Sequence, residues 1–240
     1  MKLSALAHLP AEGAPELLFL LFHGLGRDAA QMAPLAQRLA GEFPRAAVLS
    51  LNAPDPFEPG AGDSAGGFQW FTFRDLDDSN RADRVAGALP GFVAVVRALQ
   101  ERFHMSWERT ALAGFSQGAI MALAAVQAEP RLAGRVLAFG GRHATPPSHA
   151  PQDTTLHLLH GMDDAVIPYT GVVDSARRLV ALGADVTADV RPGIGHELHP
   201  ELIDQAIEQL RTFLPRKVWR AAMSDAPLIP RAASSDELKG

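Results

Sequence analysis

The chain has 240 residues, of which 47% are hydrophobic and 20% charged, and its formal net charge is −5. This length suits one α/β domain and is too short for two full domains with a linker. The mild negative charge, without a basic stripe of interleaved aromatic residues, gives no reason to expect nucleic acid as a partner. Cysteine is absent, which excludes disulfides, thiol nucleophiles and cysteine metal sites.

The N-terminal segment, residues 1–10, is too short and too polar for a secretory h-region, because His8 interrupts its apolar stretch. No apolar run in the sequence approaches the ~20 residues needed to cross a membrane. We therefore expect no transmembrane segment and a cytoplasmic location.

Short apolar runs alternate with longer helix-patterned segments, which predicts an α/β fold with a mostly parallel sheet and helices on both faces. The run 17–22 contains no polar residue, as expected for a central strand. The predicted strands are 17–22, 46–51, 110–113, 135–139, 155–159 and 185–190. The predicted helices are 30–42, 80–103, 117–127, 170–182 and 200–213.

Two segments do not follow this alternation. Residues 52–79 form a connection rich in Gly, Pro and Asp, and a loop this long inside a compact domain is often functional. We predict that residues 1–214 form one domain and that 215–240 form a C-terminal tail, disordered over 232–240. The apolar residues of the tail are expected to dock part of it on the domain, and the tail is a candidate for mediating a homodimer. These residues are Val218, Trp219, Leu228 and Ile229.

A Gly-x-Ser-x-Gly pentapeptide, with Ser116 at its centre, follows a predicted strand and precedes a predicted helix. This context is the one a nucleophile elbow requires, since Gly114 and Gly118 let the backbone turn sharply and pack closely. Such a turn lifts the serine hydroxyl above the sheet, at the N-terminal end of a helix that favours a developing oxyanion. We interpret Ser116 as the nucleophile.

A nucleophilic serine needs a histidine base and a carboxylate that orients it. In α/β-hydrolases the acid follows one later strand and the histidine follows the next. Asp163 and Asp164 follow the predicted strand 155–159, and the two are nearly equal candidates for the acid. His196 is the preferred base among nine histidines, because it alone lies in a Gly-rich loop after the last predicted strand.

The tetrahedral intermediate of acyl transfer also needs two backbone N–H donors. Gln117, the residue after the nucleophile, is the candidate for one of them. The other is expected from the His-Gly-Leu-Gly loop after the first predicted strand, with the Leu25 amide as the donor.

No metal site is expected, because the histidine spacings do not fit one. His196 and His199 are three residues apart, whereas the zinc-binding H-E-x-x-H helix needs four. His157 and His160 have odd spacing along a strand and therefore point to opposite faces.

Together these segments resemble the phospholipase/carboxylesterase family, which includes acyl-protein thioesterases and small bacterial esterases. The resemblance covers roughly residues 15–214. The matching stretches are LFHGLGRDA (21–29), GGFQWF (66–71), LAGFSQGAIMAL (112–123), LHGMDDAVIP (159–168) and GIGHELHPE (193–201).

The family resemblance implies a single-domain α/β-hydrolase without a large lid and without a cofactor. It assigns the catalytic acid to Asp164 rather than Asp163, and it supports His196 as the base. It also supports Leu25 and Gln117 as the oxyanion donors. Arg27-Asp28 replaces the commoner Asp after His-Gly-Leu-Gly, so the rim near the acyl group is expected to differ.

Aromatic residues concentrate in the long connection. We hypothesise that Phe68, Trp70 and Phe71 wall the substrate pocket, and the alternative is ordinary core packing beneath a long loop.

The predicted function is cleavage of carboxylic esters, with short to medium acyl chains, through an acyl-serine intermediate. A lysophospholipase or an acyl-protein thioesterase is the alternative within catalysis. A non-catalytic binding protein on the same fold is the alternative from another class. The expected partner is a small ester or thioester substrate.

Overall fold

The computed structural model of the chain describes residues 5–57, 66–216 and 218. Nine strands are present among them: β1 (Ala5–His8), β2 (Leu17–Phe22), β3 (Ala46–Leu51), β4 (Asp55–Pro56), β5 (Phe68–Gln69), β6 (Thr110–Phe115), β7 (Arg135–Phe139), β8 (Thr155–Gly161) and β9 (Asp185–Arg191). Seven of them form the main sheet in the order β1-β3-β2-β6-β7-β8-β9, while β4 and β5 pair as a small antiparallel ribbon.

The main sheet is parallel except for its edge strand β1, which runs antiparallel to β3. This confirms the predicted mostly parallel sheet. The sequence analysis missed β1 because this strand is only four residues long and lies exposed at the edge, with Leu6 50% exposed. Without a buried face, the strand has no alternating apolar pattern to predict it.

Five α-helices cover the two faces of the sheet: α1 (Ala33–Glu42), α2 (Arg81–Arg102), α3 (Gln117–Ala128), α4 (Thr170–Ala181) and α5 (Pro200–Thr212). Their bounds differ from the predicted ones by at most one residue, except at the start of α1. There residues Ala29–Met32 form a 3₁₀ turn, in which the Asp28 carboxylate accepts a hydrogen bond from the Ala30 amide at 3.0 Å. The capping side chain of Asp28 fixes where this turn begins.

The core lies in two layers, one on each side of the sheet. Alternate residues of β2 show this division, since Leu18 and Leu20 pack towards α2 and α3, whereas Phe19 and Leu21 pack towards α1 and α5. All six residues of β6 are buried, as expected for a central strand with both faces covered. The described residues contain no separate lid domain.

The tail lies mostly outside the described residues, which include neither Trp219, Leu228 and Ile229 nor the segment 232–240. Val218 is described and is 44% exposed. Within the described ranges, no helix is long and apolar enough to cross a membrane.

A close approach between α3 and the end of β2 fixes how these elements meet. A Cβ atom on Gly118 would lie 2.2 Å from the carbonyl oxygen of Phe22 and 2.7 Å from that of His23. A Cβ on Gly114 would lie 2.4 Å from the backbone nitrogen of Ala119. Both glycines of the pentapeptide are therefore required by backbone packing.

We expect Gly118→Ala to lower the free energy of unfolding by about 3 kcal/mol, because the new methyl group must displace backbone atoms. Urea unfolding followed by circular dichroism measures this change. Gly87→Ala is the matched control, since Gly87 is exposed in α2 with open space around its Cβ position. The control is expected to raise the stability by about 0.5–1 kcal/mol. Equal effects of the two substitutions would contradict the packing argument.

Candidate active site

Ser116 lies at the sharp turn between β6 and α3, with φ of 52° and ψ of −114°. A non-glycine residue rarely adopts a positive φ, and such strain persists only where the surrounding structure enforces it. Here the Ser116 amide donates to the Phe139 carbonyl at 2.9 Å, and the Ser116 carbonyl accepts from the Ile120 amide at 3.0 Å. The turn presents the hydroxyl group at the carboxyl edge of the sheet, beside the N-terminus of α3.

His196 joins Ser116 to Asp164 through two short contacts. Its Nε2 atom lies 2.9 Å from Ser116 Oγ, and its Nδ1 atom lies 2.7 Å from Asp164 Oδ2. Because a carboxylate oxygen only accepts, the Nδ1 atom carries the proton and Nε2 is left free to accept from the serine hydroxyl. The Phe115 ring packs against the imidazole at a centroid distance of 4.9 Å and helps to fix its plane.

Asp164 is buried, whereas its neighbour Asp163 is exposed and makes no hydrogen bond with His196. The second carboxylate oxygen of Asp164 accepts hydrogen bonds from the backbone amides of Val166 and Ile167, at 2.9 and 2.8 Å. Burial alone raises the pKa of Asp164, but the hydrogen bonds from His196 and from these two amides outweigh burial and lower the pKa below its ordinary value. The carboxylate therefore stays ionised at neutral pH.

His160 is a further contact of this carboxylate. Its Nε2 atom lies 2.7 Å from the Ile167 carbonyl oxygen and 3.1 Å from Asp164 Oδ2, and its ring is fully buried. Both partners are acceptors, so Nε2 carries the proton. Burial lowers the pKa of His160 and keeps the ring neutral. The sequence analysis considered His160 only as a metal ligand. The His-Gly pair that precedes the two aspartates is the signal that could have indicated its place beside the acid.

The two amides expected to form an oxyanion hole border the same cavity as Ser116. Leu25 and Gln117 both line this cavity, and their N–H groups donate to no acceptor within the described part of the chain. The loop that contains Leu25 is held in place by its neighbours: the Gly24 amide donates to Gln31 Oε1 at 2.7 Å, and the Gly26 amide donates to the Phe68 carbonyl at 2.9 Å.

The cavity in front of Ser116 has a volume of about 390 Å³ and a largely apolar wall. Phe71 lines it, as expected, and so does Phe73, another aromatic residue of the long connection. Neither Trp70 nor Phe68 does. Phe68 lies in the β4–β5 ribbon, where its backbone pairs with that of Arg27.

Trp70 belongs to the core rather than to the cavity wall. It is 5% exposed, and its ring packs edge-on against Phe22 and Phe92 at centroid distances of 5.2 and 5.5 Å. Its indole N–H donates to the His23 carbonyl at 2.9 Å. Of the three proposed pocket residues, only Phe71 therefore reaches the cavity.

The side chain of Gln117 attaches this aromatic segment to the nucleophile turn. Its Oε1 accepts from the Trp70 amide at 2.7 Å, and its Nε2 donates to the Phe71 carbonyl at 2.8 Å. The side chain is buried, so no water can replace these bonds. The sequence analysis assigned a role only to the Gln117 backbone, because nothing in the motif indicates the partner of its side chain.

Groups of three or more His, Cys, Asp or Glu side chains that could hold a metal ion do not occur among the described residues.

Comparisons with known proteins show the family of this chain. The sequence model of the Phospholipase/Carboxylesterase family matches residues 9–214. The chain is 39% identical over 215 residues to esterase YpfH of Escherichia coli K12, with 90% of each chain covered. It is 25% identical over 229 residues to acyl-protein thioesterase 1 of Eremothecium gossypii, covering 89% of this chain and 95% of the relative.

Solved structures show the same fold. The crystal structure of esterase PE8 matches with a TM-score of 0.79 and 28% identity, covering 89% of this chain and 100% of that one. A carboxylesterase from Mesorhizobium loti matches with a TM-score of 0.69 and 19% identity, covering 82% and 90%. The fold is that of an α/β-hydrolase. The chain belongs to the phospholipase/carboxylesterase family.

We expect Gln117→Ala to lower the free energy of unfolding by about 2–4 kcal/mol, because it leaves the Trp70 amide and the Phe71 carbonyl buried without partners. Gln127→Ala is the matched control in the same helix, since the Gln127 side chain makes only one hydrogen bond, to the His149 carbonyl near the surface. Its cost should stay below about 1 kcal/mol. Urea unfolding of both variants measures the two free energies of unfolding. Similar losses in the two variants would show that the Gln117 side chain does not hold residues 70 and 71 in place.

Proposed function

We propose that this chain is a carboxylesterase that cleaves esters through an acyl-enzyme formed on Ser116, with His196 as the base and Asp164 as the orienting acid. One observation carries the proposal: the continuous contact from Ser116 Oγ through the His196 ring to the Asp164 carboxylate, at 2.9 and 2.7 Å. Membership of a family of esterases and thioesterases supports it.

In the first step, Ser116 Oγ attacks the carbonyl carbon of the ester while His196 Nε2 takes the serine proton. The imidazolium that forms is stabilised by Asp164, whose lowered pKa keeps it negatively charged. His196 then returns the proton to the leaving alcohol. In the second step, His196 activates water, which attacks the acyl-serine and releases the carboxylic acid.

The backbone amides of Leu25 and Gln117 stabilise the negative charge that develops on the carbonyl oxygen. Both amides line the cavity, and both have no acceptor within the described residues, so they can donate to an oxyanion without breaking another hydrogen bond. Loss of one such donor typically costs about 10²–10³ in rate.

Short to medium acyl chains fit this site better than long ones. A cavity of about 390 Å³ lies at the small end of the roughly 300–1,000 Å³ usual for ligand pockets. Thioester cleavage by the same groups is the alternative. The similarity of this chain to acyl-protein thioesterase 1 of Eremothecium gossypii supports it. A lysophospholipase activity, a cytoplasmic location and a homodimer stay predictions, as do the domain limit at residue 214 and the disorder of 232–240.

Ser116→Ala should reduce kcat/KM for 4-nitrophenyl esters by on the order of 10⁴-fold or more, because the covalent intermediate cannot form. The same variant should lose labelling by a fluorophosphonate probe, which requires an activated serine. Ser148→Ala is the control, since Ser148 is exposed and does not line the cavity. Substantial esterase activity in Ser116→Ala would reject the assignment, and a wild-type protein without activity or labelling would favour the non-catalytic alternative.

Phe71→Ala should shift the preferred acyl length upward in a series of 4-nitrophenyl esters from two to sixteen carbons, because it lengthens the apolar cavity. Trp70→Phe keeps an aromatic ring in the core and should leave the length preference unchanged while lowering the melting temperature, since it loses the hydrogen bond to the His23 carbonyl. An unchanged profile in Phe71→Ala would remove this residue from the pocket.

A further inference from the structure

Three arginines stand around the cavity in front of Ser116, and none of its described lining residues is acidic. Arg27, Arg81 and Arg142 are these arginines. The chain as a whole carries a formal net charge of −5, so this concentration of positive charge is opposite in sign to the protein. Charge of one sign around a cleft raises the local concentration of ligands of the other sign.

Two of the arginines share a single carboxylate. Arg81 forms an ion pair with Asp78 Oδ1, and the Arg142 guanidinium lies 3.1 Å from the same oxygen. Asp78 is 86% exposed and does not line the cavity. Among the described residues, Arg81 and Arg142 together therefore carry one positive charge more than the carboxylate that they share.

The third arginine has no such partner among the described residues. The Arg27 side chain is exposed, and it makes no ion pair or hydrogen bond with any other residue that the structure describes. Its backbone is nevertheless fixed, because the Arg27 carbonyl accepts from the Phe68 amide at 2.8 Å. Arg27 directly follows the loop that contains the Leu25 amide, and it lines the same cavity as Leu25 and Ser116.

Most of the remaining wall is apolar. Phe71, Phe73, Leu76, Ile120 and Val166 are among the residues that form it. A ligand that fits this cavity therefore combines an apolar portion with a negatively charged group. Guanidinium groups bind carboxylates and phosphates through paired hydrogen bonds, and these bonds are stronger than those between neutral groups.

We propose that the substrate is an anionic ester, with a carboxylate or phosphate group that binds Arg27 and Arg142 while its ester carbonyl lies at Ser116. This inference rests on the proposed esterase function and specifies its substrate class. Arg81 stays with Asp78 and positions Arg142 through their shared carboxylate.

Two pairs of esters test the proposal, each with one anionic and one neutral member. The first pair compares mono-4-nitrophenyl glutarate with 4-nitrophenyl hexanoate and places the charge on the acyl side of the ester. Butyryl glycerol phosphate against monobutyrin places it on the alcohol side, and the two pairs distinguish a carboxylate from a phosphate. The wild-type kcat/KM should be about tenfold higher for the anionic member of at least one pair. Because exposed charges are screened by salt, 0.5 M NaCl should reduce this preference.

Arg27→Gln and Arg142→Gln should each lower the ratio of anionic to neutral kcat/KM by about threefold to tenfold. Arg177→Gln is the matched control, because it removes the same charge from an exposed position in α4 that pairs only with Asp174. Its ratio should equal that of the wild type. The ratio is measured within one protein, so a variant that is merely less stable leaves it unchanged.

A preference for the neutral ester in both pairs would overturn the proposal, and so would arginine variants whose ratios match the control. A second measurement needs no turnover: binding of hexyl phosphate to the Ser116→Ala protein by calorimetry, expected to weaken at least threefold in Ser116→Ala/Arg27→Gln. Absence of that binding also overturns the proposal. Failure of the esterase function is distinguished because it abolishes cleavage of every ester, whereas failure of this inference leaves cleavage without charge preference.

Discussion

The position of Ser116 depends on how closely helix α3 approaches the ends of strands β2 and β6. The turn holds Ser116 at a positive φ, and it closes only where Gly114 and Gly118 leave room for neighbouring backbone atoms. Strain of this kind, which costs about 1–3 kcal/mol, persists because the sheet on one side and the buried helix on the other allow no alternative. The same contact brings the Leu25 loop beside the nucleophile, so one packing constraint aligns three parts of the proposed site.

A second buried element, the Asp164 carboxylate, is stabilised by its surroundings rather than by solvent. Four donors reach it: two backbone amides on one oxygen, and His196 and His160 on the other. A buried charge without partners is costly, and this number of donors is what keeps the group ionised and oriented. Asp164 thus orients the imidazole of His196 through its Nδ1 atom, while the Nε2 atom stays available to Ser116.

The order of the elements along the chain was predictable because the central strands are mostly apolar and apolar residues recur in the helices at a helical spacing. Strands β2, β3 and β7 begin and end where the sequence predicts. Strand β1 and the β4–β5 ribbon were missed, since segments of two to four residues are too short to show a periodic pattern. Ser116 and His196 could be selected because their motifs follow strands whose carboxyl ends meet at one edge of a parallel sheet.

The sequence by itself determined the α/β architecture and the residue types that come together, because local periodicity and glycine spacing are properties of short segments. Tertiary structure alone decided which side of a segment meets which neighbour. It placed Trp70 in the core and Phe71 at the cavity wall, brought the backbone of both residues into hydrogen bonds with the Gln117 side chain, and placed His160 against Asp164. It also gathered Arg27, Arg81 and Arg142, which lie far apart in the chain, around one cavity. Contacts between residues distant in sequence follow from how the layers pack, and no local pattern records them.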